Sequence, residues 1–155
     1  MLVVATGHAL SLAVVDRGRL LASADVALTT GQAEAVVPAI AELLTPLGGR
    51  RLRLSRLLVE TGPGSFTGLR VGLAAASALA LAHEAELSGI RSTQLVAADI
   101  RARGLAGELL VLLAAPRGQV WLERFAAGGL TSLGPPEALL PTEAAAPAAG
   151  TALLA

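Results

Sequence analysis

Glu60-Thr61-Gly62-Pro63-Gly64-Ser65-Phe66-Thr67-Gly68-Leu69-Arg70-Val71-Gly72 joins two apolar segments. Leu57-Leu58-Val59 precedes it, and an alanine-rich run follows to Ala82 with no charge beyond Arg70. That order predicts a strand, a glycine loop and a helix N-terminus. Gly62, Pro63, Gly64 and Gly68 let the backbone turn tightly and leave its N–H groups uncovered. Ser65 and Thr67 are both candidate N-caps. Such a place holds an anion where free N–H groups and the helix dipole converge, so Gly62, Gly64, Ser65, Thr67 and Arg70 form a candidate anion site. The same residues also suit a plain tight connection between a buried strand and a buried helix.

Working back from the loop, Leu2-Val3-Val4, Leu10–Val15 and Arg19–Val26 read as an antiparallel meander, with Asp16-Arg17-Gly18 as the turn between the second and third strands. Thr29-Thr30-Gly31 breaks the pattern and supplies a helix cap. From Gln32 to Leu47 the apolar positions Ala33, Val36, Val37, Ile40, Ala41, Leu43, Leu44 and Leu47 follow helical spacing. Pro38 is expected to kink or restart this helix, and Gly48-Gly49 to end it. Arg50, Arg51, Arg53 and Arg56 then make a basic cluster. It reads as a solvated connection, since no aromatic residue is interleaved to stack a base.

Beyond the loop, Gly68, Gly72, Ala76 and Ala80 recur every four residues along the helix expected over 67–82. Small residues at that spacing let two backbones approach closely, and Leu69 and Leu73 flank them. One reading has the sheet and the first helix cover this helix entirely. The sharper one has one side meet another protein chain.

Leu87–Arg91 is a short strand, and Ser92-Thr93 caps a third helix to about Arg103. Leu109–Ala115 and Gln119–Phe125 make two strands across Pro116-Arg117-Gly118, Leu130–Leu133 a third, and a helix starts at Pro136 or Glu137. This second meander echoes the first, so a duplication with a reduced second half is expected. The division is expected as residues 1–104 and 105–155.

Absent residue types narrow the chemistry. There is no cysteine, no tyrosine and no lysine, all twelve basic residues being arginine. That removes thiol nucleophiles, Schiff-base chemistry and the lysine of a phosphate loop. Twelve acidic residues balance the charge, so nothing points to nucleic acid or an anionic membrane. A hydrophobic fraction of 54% with 15% charged residues suggests a surface hidden against a partner. No stretch is read as a membrane span and Met1–Ala5 is not read as a signal peptide, so the expectation is a cytoplasmic protein. Gly62, Gly64 and Gly68 are spaced as neither the dinucleotide nor the P-loop pattern. Ser65 as nucleophile needs a base, for which only His8 and His83 exist. No set of residues has metal-ligand spacing. Trp121 reads as core or interface.

Gly62-Pro63-Gly64-Ser65-Phe66-Thr67-Gly68-Leu69-Arg70-Val71-Gly72 resembles the signature of the TsaB (YeaZ) family of tRNA threonylcarbamoyladenosine biosynthesis, older descriptions of which read glycoprotease-like or peptidase M22-like. Gln32-Ala33-Glu34 with Pro38 and Leu43-Leu44 is similar to the family's His-Ser-Glu helix, and Gly118-Gln119-Val120-Trp121 to its Gly-Glu-Val-Tyr step. The resemblance implies an α/β, actin-like (ASKHA, ribonuclease H-like) fold of duplicated βββαβα lobes with a reduced C-terminal lobe. It implies a non-catalytic partner of TsaD, the subunit that transfers threonylcarbamoyl to N6 of adenosine 37, with the ATPase TsaE in the same assembly. No cofactor is implied for this chain, any ATP or ADP being held by TsaD or TsaE, and tRNA is met only through the complex. The helices at 32–47 and 67–82 would pack on the same helices of TsaD or, in a homodimer, of a second copy. The interface residues so implied are Ala33, Val36, Val37, Ile40, Leu44, Gly68, Leu69, Gly72, Leu73, Ala76 and Ala80. Where the family often has Asp-Thr and Asp-Ala-Arg, this chain reads Ala5-Thr6 and Ala114-Ala115-Pro116, and Gln32 replaces the histidine. The alternative is an enzyme, a nucleotide hydrolase or peptidase using the glycine loop. On the scaffold reading the loop is the tight entry to a helix that meets a partner.

Overall fold

A computed structural model describes residues 1–26, 32–144 and 152–154, in two compact units, Met1–Ile90 and Arg91–Ala155. The expected cap Thr29-Thr30-Gly31 lies outside the described residues.

The first unit is a five-stranded sheet in the order β3-β2-β1-β4-β5, made from β1 (Leu2–Ala5), β2 (Leu10–Asp16), β3 (Arg19–Val26), β4 (Arg56–Glu60) and β5 (Glu86–Ile90). β1, β2 and β3 form an antiparallel meander, whereas β4 runs parallel to β1 and β5 parallel to β4. Alternation decides the faces. Leu2, Val4, Leu10, Leu12, Val14, Leu57 and Val59 point into one core, while Val3 and Leu58 are half-buried on the other side. Two helices, α1 (Gln32–Leu44) and α2 (Phe66–His83), supply Val36, Ile40, Leu43, Leu44, Ala76 and Ala80 to that core. Each fully buried leucine or valine there contributes roughly 1.5–3 kcal/mol.

α1 runs unbroken through Pro38, so the expected restart does not occur. It ends at Leu44 rather than Leu47, where the chain tightens into 3₁₀ turns over Thr45–Leu47 and Gly49–Arg51. Gly48, at φ 115°, separates the two turns.

In the second unit a four-stranded sheet has the order β8-β7-β6-β9, from β6 (Leu109–Ala114), β7 (Val120–Phe125), β8 (Glu137–Leu139) and β9 (Ala152–Leu154). β7 is antiparallel to both β6 and β8, and β9 is parallel to β6. This repeats the relation of β3, β2, β1 and β4. The turns repeat as well: Arg17 and Gly18 have φ 46° and 77°, and Arg117 and Gly118 have φ 62° and 71°. Left-handed φ at both central residues matches the twist of a hairpin.

Four expectations for this unit change. Leu130–Leu133 makes only a bridge, Ser132 to Phe125, because Gly128-Gly129 before it and Gly134-Pro135-Pro136 after it interrupt pairing. The third strand is instead β8, where a helix start was expected; as an edge strand it tolerates the prolines that lead into it. The division also falls before α3 (Ser92–Ala102), not after it. Ala97 and Ile100 of α3 share a core cluster with Leu109, Val111 and Phe125, which binds the helix to β6. Arg91, not Ser92, stands at the N-cap of α3.

Candidate functional site

α2 starts where expected. Its N-cap Ser65 accepts a hydrogen bond from Gly68 N at 3.2 Å. Ser65 N in turn donates to Gly7 O at 2.6 Å, tying the loop to the turn after β1. Two N–H groups of the glycine loop are therefore already engaged by the chain itself. Glu60, 4% exposed at the end of β4, accepts from Thr6 N at 2.6 Å and Gly7 N at 2.5 Å. The loop's candidate anion residues differ in exposure: Gly62 is buried, Gly64 half-buried, and Ser65, Thr67 and Arg70 exposed. The Arg70 guanidinium lies over the ring of exposed Phe66, 5.1 Å from its centroid, a cation–π pair. These residues build a tight connection rather than an open phosphate cradle.

The small-residue stripe faces inward. Gly68, Gly72, Ala76 and Ala80 are all buried in the unit's own core. The cause is a close approach: a Cβ at Gly72 would collide with Thr6 Oγ1, and one at Gly64 would stand 2.8 Å from Gly7 Cα. Both glycines thus let the end of β1 and its turn lie directly on the loop and helix. Thr6 Oγ1 is buried there without a hydrogen-bond partner among the described residues. Val36 is also fully buried, so it and the stripe are corrected from interface to core. Sequence periodicity separates the faces of a helix but does not say what each face meets.

The outward face of the helix pair is different. Leu73, Ala74, Ala78, Leu81 and Ala82 are exposed on α2, and Val37 and Ala41 on α1. Val37 keeps 62% of its surface and Leu81 83%. Ala74, Ala78 and Ala82 form a second small-residue stripe with the same spacing of four. Between the helices lies an apolar groove of about 540 Å³, walled by Val37, Ile40, Ala41 and Leu44 from α1 and Ala75, Ala78, Leu79 and Ala82 from α2. Of the expected interface residues, Val37 and Leu73 are exposed, Ile40 and Leu44 show only an edge to the groove, and Leu69 is half-buried. The side chain of Ala33 lies outside the described residues. His83 closes one end of the groove, beside a recess lined by Arg51, Leu52 and Arg53. Arg56 is paired with Glu86 at 3.0 Å.

α2 corrects one further reading. Its 18 residues and mean hydropathy of 1.3 satisfy the length and composition of a membrane-crossing helix. Its stripe is nonetheless fixed on the sheet from Gly68 to Ala80, so the exposed apolar side is one flank of a packed helix.

For catalysis, the Ser65 hydroxyl serves as a cap, and among the described residues no histidine side chain hydrogen-bonds to it. No group of three His, Asp or Glu among the described residues could hold a metal ion.

Sequence reasoning missed a polar cluster in the second unit. Glu123, 1% exposed on β7, accepts from Arg91 Nη2 at 2.6 Å, Ser132 Oγ at 2.6 Å and Thr93 Oγ1. Burial raises the pKa of this carboxyl, but hydrogen bonds from Arg91, Ser132 and Thr93 and the Arg91 charge outweigh it and hold the pKa below 4.5. The only hint in the sequence is one acid inside an apolar strand. Trp121, two residues earlier, is half-buried and registers with Leu113 and Ala138.

Comparison with known proteins follows the same architecture. A family model described as "TsaD: tRNA N6-adenosine threonylcarbamoyltransferase" matches residues 30–145. The tRNA threonylcarbamoyladenosine biosynthesis protein TsaB of Bacillus subtilis is 28% identical over 116 residues, 75% of this chain and 50% of that protein. The protein of the same name from Escherichia coli is 32% identical over 89 residues, 57% of this chain and 38% of that one. The chain belongs to this family, on its TsaB (YeaZ) side. It spans about half the length, or less, of these curated relatives. The solved structure of YeaZ from Pseudomonas aeruginosa superposes with a TM-score of 0.81 at 23% identity, covering 94% of this chain and 69% of that one. That likeness, with the 3-2-1-4-5 order and its partial repeat, makes the fold of this TsaB-family chain the α/β, actin-like (ASKHA, ribonuclease H-like) one.

Proposed function

We propose that the chain is a non-catalytic, cytoplasmic subunit in the formation of tRNA N6-threonylcarbamoyladenosine, binding a TsaD-type transferase through the outward face of α1 and α2. The relatives' names support the pathway, and the exposed apolar groove supports the mode of action. That groove carries the proposal. An unpartnered apolar cleft between two helices, with exposed Val37 in its wall and Leu73 and Leu81 exposed elsewhere on α2, is the kind of surface that a second helix pair covers. A spacing of four between Ala74, Ala78 and Ala82 lets a partner backbone come close. TsaE and tRNA would join through the transferase, and ATP would be held by those partners. The same face would close a homodimer when no TsaD is present.

The test is to mix the purified chain with TsaD and measure the mass of the complex in solution. A heterodimer is expected with the natural chain, and its loss with Val37→Glu or Ala78→Glu, both of which place a carboxylate in the groove while leaving the melting temperature within a few degrees. A complex and tRNA modification that survive both substitutions would overturn the assignment. Gly72→Leu or Ala76→Glu would not serve, since they disturb the core.

A further inference from the structure

We infer that the turn after β1 is an oxyanion site that the chain fills with its own Glu60, closing the glycine loop to phosphate-bearing ligands. Thr6 N and Gly7 N are consecutive amides, and both donate to the same oxygen, Glu60 Oε2, at 2.6 and 2.5 Å. Successive N–H groups converging on one point are how a backbone cradles an anion. The cradle is built, not casual. Thr6 is fully buried and Glu60 is 4% exposed. At Gly7 an added Cβ would stand 2.6 Å from Glu60 Oε1, so the carboxylate occupies the space that a side chain would take. Ser65 N grips the Gly7 carbonyl at 2.6 Å from the opposite side, and Gly64 lies against Gly7. Loop and turn therefore enclose the carboxylate on a rigid frame.

A phosphate entering the turn after β1 would need the amides that Glu60 holds, and would meet the charge of that carboxylate at contact distance. The inference concerns only the first unit and is independent of whether the α1–α2 face binds a transferase.

The experiment is chemical rescue in Glu60→Ala, with ¹⁵N–¹H spectra of the Thr6 and Gly7 amides. The variant is expected to melt several degrees below the natural chain. Formate or inorganic phosphate at tens of millimolar should raise its melting temperature saturably, beyond chloride at equal ionic strength, and shift both amides. The natural chain should show neither response to phosphate or ATP. Should the variant not fold unaided, its refolding in formate is the readout, and recovery is the expected result. A saturable phosphate shift of Thr6 and Gly7 in the natural chain, or a variant that no anion restores, would overturn the proposal.

Discussion

At the scale of single residues, Gly72 and Glu123 set the sharpest expectations. Gly72 permits the contact with Thr6, so Gly72→Ala forces a methyl group onto a buried hydroxyl. Overpacking of this kind costs about 1–3 kcal/mol. Ala74→Leu, only two residues on but pointing outward, should change stability by less than about 0.5 kcal/mol. Urea midpoints of the two variants check the pair, and equal losses would show the face assignment to be wrong. Glu123 gives a pH signature. Its folded-state pKa lies below 4.5, so its stabilisation is present above that value and is lost as pH falls through the folded value. The urea midpoint of the natural chain should drop as pH falls below the ordinary glutamate range, whereas Glu123→Gln should start lower and fall less. At neutral pH the substitution is expected to cost about 3 kcal/mol, the low end for a broken buried pair. The low end applies because the Arg91 side chain keeps 35% of its surface.

At the scale of elements, what could be read depended on whether the signal was local. α2 was legible almost to the residue: expected over 67–82 and found over Phe66–His83, because Ser65 caps it and Glu84 leaves it at φ 54°. The hairpin at Arg17-Gly18 was equally local. β8 was not, since three residues after two prolines pair with β7 only through the tertiary fold. The outward direction of α2 was not legible either. Two small-residue stripes share the spacing, and only the approach of Thr6 selects the inner one. The same asymmetry predicts behaviour toward lipid. A helix held on a sheet along Gly68, Gly72, Ala76 and Ala80 cannot also be wrapped by acyl chains. The natural chain is expected to stay in the supernatant with sedimented phosphatidylcholine vesicles, and α2-dependent pelleting would contradict its reading as a packed helix.

At the scale of the molecule, the duplication was legible because apolar strands and an Arg-Gly turn recur in order, and the repeated sheet orders bear it out. The boundary was not, because the glycines after α3 resemble a linker while Ala97 and Ile100 commit that helix to the strands following it. The candidate site was half legible: the sequence points to the helix pair that carries the exposed groove, but names largely its buried face. These facts make the two units unequal. All five strands of the first sheet, both groove helices and the cluster from Leu2 to Ala80 lie within Met1–Ile90. A core contained in one contiguous segment is the condition for folding alone. The segment 1–90 should therefore give a cooperative urea transition and dispersed amide spectra. Because the groove is complete within it, it should also bind TsaD within a few-fold of the full chain's affinity. A folded segment that fails to bind TsaD would place part of the interface in the second unit, and an unfolded one would deny the first unit the status of a domain.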